Sequence, residues 1–213
     1  MRQRKLIINF LNMGKLFFNP NKVIWLLTIS DVFTWGTYFV ISVLSGIYLA
    51  QKLGLDTVQI VGIGTTIYFF SRALFQLPIG MLLDRVAHDK DEITMLAGGS
   101  FVMGLSFVFY PAISSPWTYF FLQLIFGLGT AMNLNAWRKL FATNLDQNQE
   151  GKEYGLYEVI MSLSIATFSW LAGFVANINK TYFDYVIIIA GTLMMVGSIW
   201  PVLISRVVNR KSL

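Results

Sequence analysis

Six stretches of this 213-residue chain are each about as long and as apolar as a membrane-crossing helix has to be, close to 20 residues. They cover residues 23–50, 58–83, 93–113, 117–137, 155–177 and 183–205. The breaks between them carry turn and charge signals: Gly54-Leu55-Asp56, the run from Asp84 to Glu92, Ser114-Ser115-Pro116, the polar run from Asn144 to Glu153, and Asn177 to Lys180. Only 13% of the residues are charged. A soluble domain carries roughly a quarter, so there are too few charges here to coat a globule. The spacing therefore predicts an all-α integral membrane protein with six transmembrane helices. Residues 1–22 form a basic N-terminal segment and residues 206–213 a short basic tail.

The positions of the cations set the orientation. If alternate loops face the same side, one side holds 13 of the 16 Lys and Arg residues and the other only Lys52 and Lys180, with Arg72 inside a span. Lys and Arg gather on the cytoplasmic side of a membrane, so both termini are expected in the cytoplasm. The setting expected is a bacterial-type inner membrane. The same distribution argues against nucleic acid as a partner, because the basic residues sit at membrane borders and not on one surface. In the N-terminal segment Leu6, Phe10, Met13 and Phe17 recur at helical spacing, as in an amphipathic helix lying on the inner membrane surface. There is no cysteine, hence no disulfide framework or thiolate metal site.

Ionisable groups inside an apolar layer are costly. A charge at the bilayer centre costs about 2.5–3.5 kcal/mol even on the most lenient scale. Asp31 lies roughly 12 Å into the first stretch at 1.5 Å per residue, and Arg72 lies near the middle of the second. Arg72 stays charged, so it is expected to face a wet cavity or a carboxylate, and Asp31 is the nearest in depth. Each has polar company at helical spacing: Asp31, Trp35, Tyr38, Ser42 and Ser45 on the first helix, Thr65, Tyr68, Arg72 and Gln76 on the second, and Gln123, Thr130 and Asn133 on the fourth. Two readings fit these stripes, a solvated solute pathway or a set of interhelical hydrogen bonds around an inert ion pair. Small residues in the spans, Gly62-x-Gly64, Gly98-Gly99, Gly127-x-Gly129, Gly173 and Gly191, are expected to let helices approach closely. Pro78 and Pro201 are expected to kink theirs.

The end of the second stretch reads Gly80, three residues, Asp84, Arg85, then Ala87, His88, Asp89 and Lys90. This resembles the loop signature of the major facilitator superfamily. Ala87 stands where the signature has a second glycine and Asp89 where it has its first basic residue. Asp31-x-x-x-x-Gly36 resembles a first-helix pattern found in part of that superfamily. Gln123-Leu-Ile-Phe-Gly127-Leu-Gly129 resembles its fourth-helix motif, with Gln123 in place of the usual arginine, and the Gly-Pro pair of drug antiporters is missing from the fifth helix.

The resemblance covers about residues 20–205. It implies a six-helix half of a twelve-helix fold, built as a 3+3 inverted repeat, and a secondary active transporter of a small solute working by alternating access. Solute and coupling ion would pass by Asp31, Trp35, Tyr38, Arg72, Gln76, Gln123 and Asn133. Gly80, Asp84, Arg85, Lys90 and Arg138 would form a conformational latch, with Asp84 accepting from another helix N-terminus or pairing with Arg85 or Arg138. Arg72 favours an anionic or polar solute unless Asp31 neutralises it, and the aromatics suit ring compounds. No cofactor is implied beyond a coupling proton or sodium ion. The expected partners are the solute, the lipid bilayer, and a second copy or a second six-helix half. The rival reading is a non-transporting or degenerate membrane scaffold. There is no G-x-S-x-G, no H-E-x-x-H and no pair of intramembrane aspartates, so neither enzyme activity nor a metal site is expected.

Overall fold

A computed structural model describes residues 21–54, 56–85 and 89–208 of the chain. The proposed amphipathic stripe of residues 6–17, the signature residues Ala87 and His88, and residues 209–213 lie outside this range. Among the described residues the chain is helical, with short turns and no strand. The elements are α1 (Lys22–Leu53), α2 (Thr57–Arg85), α3 (Asp89–Val108), α4 (Pro116–Asn144), α5 (Glu150–Ala176), α6 (Lys180–Gly197) and α7 (Ile199–Val208). A short 3-10 turn, Tyr110–Ala112, ends the α3 rod. The helices begin where side chains satisfy orphan N–H groups. Asn21 accepts from Val23 N at 3.1 Å, and Asn179 accepts from Thr181 N at 2.9 Å. Ser115 caps α4, with Pro116 supplying a preset φ at its first position. At the end of α1, Gly54 turns the chain with φ of 84°, a conformation that favours glycine.

α4 lies at the centre, packed against α2 and α3. α3 also packs on α6, and α1 packs on α5, α6 and α7. Two backbone crossings explain the tightness. A Cβ on Gly99 would stand 2.5 Å from Asn133 N, so only glycine lets α3 approach α4 there. Gly104 and Gly191 make the matching crossing of α3 on α6. Gly62 and Gly173 have no neighbour within 4 Å where a Cβ would stand, so they do not serve the close packing expected of them. Where lipid supplies no hydrophobic drive, such small-residue contacts and interhelical hydrogen bonds hold helices together.

Five of these helices or helix pairs are long and apolar enough to cross a membrane, among them α6 with α7 as one rod. α4 is as long as α2, at 29 residues, but Gln123, Thr130, Asn133 and Asn135 dilute its apolar character, and its neighbours bury much of it. Pro78 lies within α2, which runs on as one helix from Thr57 to Arg85. Pro201 follows the break at Ser198 between α6 and α7. Proline has no N–H for the carbonyl four residues back, and the freed Gly197 carbonyl accepts from Ser30 Oγ on α1 at 3.1 Å.

α1 itself is irregular. Val32–Gly36 winds as a π turn directly after Asp31. An α-helix advances about 100° per residue, and a π turn inserts one extra residue. The π turn therefore rotates Asp31 away from the stripe that continuous helical spacing predicts.

Candidate functional site

The predicted polar stripe on α1 is divided by the π turn into three settings. Asp31 is buried, with 2% of its surface exposed. Its Oδ2 accepts from the hydroxyl of Tyr157 on α5 at 2.9 Å, and its Oδ1 is buried with no partner among the described residues. Trp137 of α4 lies beside the Tyr157 ring, centroids 5.0 Å apart, and Phe141 stacks on Trp137. Arg72 forms no ion pair among the described residues, and its guanidinium lies 6.0 Å from the Phe69 ring centroid. The pairing of Asp31 with Arg72 expected from depth is thus replaced by a bond to Tyr157. Equal depth does not place two residues on facing sides of their helices.

Trp35, on the π turn, donates from Nε1 to Oδ1 of Asn133 at 2.9 Å. Asn133 Nδ2 donates to Ser100 Oγ at 3.0 Å, Thr34 Oγ1 donates to the same oxygen at 3.1 Å, and Ser100 passes its own proton to the Leu96 carbonyl. Asn133, Thr34 and Ser100 are fully buried. This network locks α1, α3 and α4 where Gly99 brings the backbones together, and its polar groups satisfy one another. Gln76 is engaged similarly: Asn135 Nδ2 donates to the Gln76 carbonyl at 2.7 Å, and the two side-chain amides also bond.

Tyr38 and Gln123 do come together. They line a cleft of about 210 Å³ with Ser42 and Ser45 of α1 and Thr65 and Tyr68 of α2. Phe126 forms the wall, stacked between Tyr38 at 5.3 Å and Tyr68 at 5.1 Å, with the Phe107 ring edge-on at 4.8 Å. Gln123 Nε2 donates to the Tyr110 hydroxyl at 2.9 Å. A second groove, about 300 Å³ and between α1, α5 and α6, is lined by apolar side chains apart from Thr37. It offers little that could orient a polar solute.

At the Arg85 end of α2, Asp84 takes a different partner from those expected. Lys139 Nζ lies 2.8 Å from Glu92 Oε1 and 3.6 Å from Asp84 Oδ1, and it donates to the Leu83 carbonyl at 2.7 Å. Arg85 and Arg138 are exposed, as is Lys90. Gly80 lies against Asn135, whose Nδ2 would be 3.7 Å from a Cβ there. One residue along a helix is a turn of about 100°, which is why Lys139 faces the end of α2 while Arg138 points out. Glu92, at the end of the charged run that follows α2, is buried, with 4% of its surface exposed.

At the opposite end Lys52 bridges to Asp184 at 3.2 Å and donates to the Pro111 carbonyl at 3.2 Å, while Tyr48 donates to Asp184. That clasp ties α1 to α6 and to the α3–α4 connection. Its sequence signal is an acid at the start of an apolar stretch facing one of only two cations on its side. Among the described residues no group of His, Cys, Asp and Glu is arranged to hold a metal ion.

Helices that meet through glycine crossings, a buried carboxyl beside a π turn, and a charged clasp at the end of α2 describe a helical bundle of membrane type. The family model of the major facilitator superfamily matches residues 24–212. The chain belongs to the major facilitator superfamily. As a facilitator it is a multi-pass membrane protein, and members of this family are transporters of small solutes and not enzymes. No curated protein matches the chain significantly.

Proposed function

We propose that this facilitator is a secondary active transporter that works by alternating access, with a proton carried on Asp31. The observation behind this reading is the placement of Asp31: a buried carboxyl inside a membrane bundle, one oxygen held by Tyr157 and the other without a protein partner. Ionisable groups at such depth mark ion and substrate pathways, and π turns gather at functional sites. The Asp31–Tyr157 bond joins α1 to α5, so loading or emptying the carboxyl acts on the fit between two helices. The Lys139 clasp holds one arrangement of the other end.

In this reading α4 is the sixth span, sheltered between α2 and α3, and both termini are cytoplasmic, as the cation distribution supports. The 3+3 repeat is supported by the packing. Exchanging α1, α2 and α3 with α4, α5 and α6 converts the α2–α4 contact into α5–α1 and the α3–α4 contact into α6–α1, and returns α3–α6 to itself.

Six helices are half of the family's twelve-helix arrangement, so a second copy or a second six-helix half completes the pathway. α2 and α5 leave most of their surfaces uncovered, including Phe70, Leu77, Leu163 and Phe174, and these are the faces proposed to meet the second half.

Two experiments test the reading. Counterflow and pH-driven uptake in proteoliposomes against a solute panel should show specific transport; a folded protein that carries no solute under any gradient refutes it. D84C combined with Y154C, in a chain with no native cysteine, should cross-link two copies in membranes if the chain dimerises. A strictly monomeric, transport-competent protein would exclude the dimer.

A further inference from the structure

We infer that the cleft between α1, α2 and α4 binds a neutral, hydroxyl-bearing ring compound of about monosaccharide size. This deepens the transporter reading and rests on it. The first argument is charge. No Asp, Glu, Lys, Arg or His lines the cleft. A charged solute would give up its hydration there with no counter-charge in the lining itself, a penalty of several kcal/mol per ion. Arg72 stands one helical turn beyond Tyr68 and outside the lining, held near Phe69. Arg72 is still within electrostatic reach of Tyr38 in the lining, so glucuronate is the charged probe best able to compete.

The second argument is the pairing of surfaces. Tyr38, Phe126 and Tyr68 stack in series, so the wall is built of aromatic rings, which pair with the flat apolar faces of a ring compound. Around them stand hydroxyl and amide groups. Tyr38 and Tyr68 line the cleft, and a phenol hydroxyl can both donate and accept. Ser42 and Ser45 spend their protons on the carbonyls of Phe39 and Ser42 and keep lone pairs to accept with. Gln123 spends one amide proton on Tyr110 and keeps its carbonyl oxygen. A solute hydroxyl, itself donor and acceptor, satisfies each of these; a carboxylate can accept only from Tyr38 and Tyr68, and an ammonium, though it can donate to all five, would sit there without a counter-charge in the lining.

The third argument is size. At about 210 Å³ the cleft is smaller than the ~300–1,000 Å³ sites that take drug-sized ligands. It has room for about seven waters at the ~30 Å³ each occupies in the liquid, or for one small ring.

The test uses the full chain, purified and in proteoliposomes, with labelled neutral pyranoses and myo-inositol as probes beside glucuronate and glucosamine. At least one neutral probe should bind and compete for uptake, and the two charged probes should do neither. Gln123→Leu should weaken neutral binding about tenfold, the equivalent of one lost hydrogen bond. Because Gln123→Leu also frees Tyr110, Thr65→Val serves as a second variant; Thr65 is exposed on α2, and its loss should weaken binding with the melting temperature unchanged. Binding of a neutral probe that depends on both residues, without uptake of any solute, keeps this inference and overturns the transporter reading. Uptake of glucuronate or glucosamine without competition by neutral probes keeps the transporter and overturns this inference. Absence of binding by every neutral probe overturns it as well.

Discussion

Tyr157 donates its hydroxyl proton to Oδ2 of Asp31 at 2.9 Å, joining α5 to α1 directly beneath the π turn. It is the one hydrogen bond that carboxyl makes among the described residues, since Oδ1 is buried without a partner. Two variants separate its structural part from its proton-carrying part. Asp31→Asn keeps a carbonyl oxygen for Tyr157 and removes the titrating group. It should retain the fold and solute counterflow while losing pH-driven accumulation. Tyr157→Phe strips the carboxyl of its donor and should cost about 1–3 kcal/mol, read as a lower melting temperature in detergent. Unchanged pH-driven accumulation in Asp31→Asn would remove Asp31 from the coupling step.

Lys139 joins the end of α2 to the start of α3 through Asp84, the Leu83 carbonyl and Glu92. Lys139→Ala leaves Glu92 buried without its cation, and the loss should be about 1–3 kcal/mol. Arg138→Ala, one residue earlier and exposed, should stay within about 0.5 kcal/mol. Adding Glu92→Gln to Lys139→Ala should recover part of the loss by removing the stranded charge. Thermal unfolding of the four proteins measures all of this. Equal effects of the two single cation variants would return the latch to Arg138.

What could be read from the sequence follows from what periodicity encodes. The helices were legible because length and apolarity are properties of a stretch. That Tyr38 and Gln123 would share a cleft was legible because each lies on unbroken α-helix, where spacing gives direction. Asp31 does not share the face of Trp35 and Tyr38 that spacing predicts, because nothing in Val32–Gly36 announces a π turn; it arises where α1 meets Gly197 and Phe168. Lys139 and Arg138 are equally basic and adjacent, and only the azimuth of α4 against α2 selects between them. Tyr157 was invisible as a partner because its role depends on that same rotation of Asp31.

The Pro201 break gives a prediction that isolates backbone satisfaction in the bundle. Ser30 Oγ donates to the Gly197 carbonyl at 3.1 Å, the carbonyl that the N–H of residue 201 would reach in a continuous helix. In the native chain Ser30→Ala leaves that carbonyl with no donor, and hydrogen bonds of this kind in membrane proteins are worth about 0.6–1.7 kcal/mol. Pro201→Ala supplies an N–H that can close the bond within a continuous α6–α7 helix. In that background Ser30→Ala should cost clearly less, because the carbonyl has an alternative donor. A double-mutant cycle by thermal unfolding reads the difference as a coupling energy. Equal costs of Ser30→Ala in both backgrounds would mean that the break at Ser198 is held by the packing of Gly197 on Phe33 and Thr34 and not by the missing N–H of Pro201.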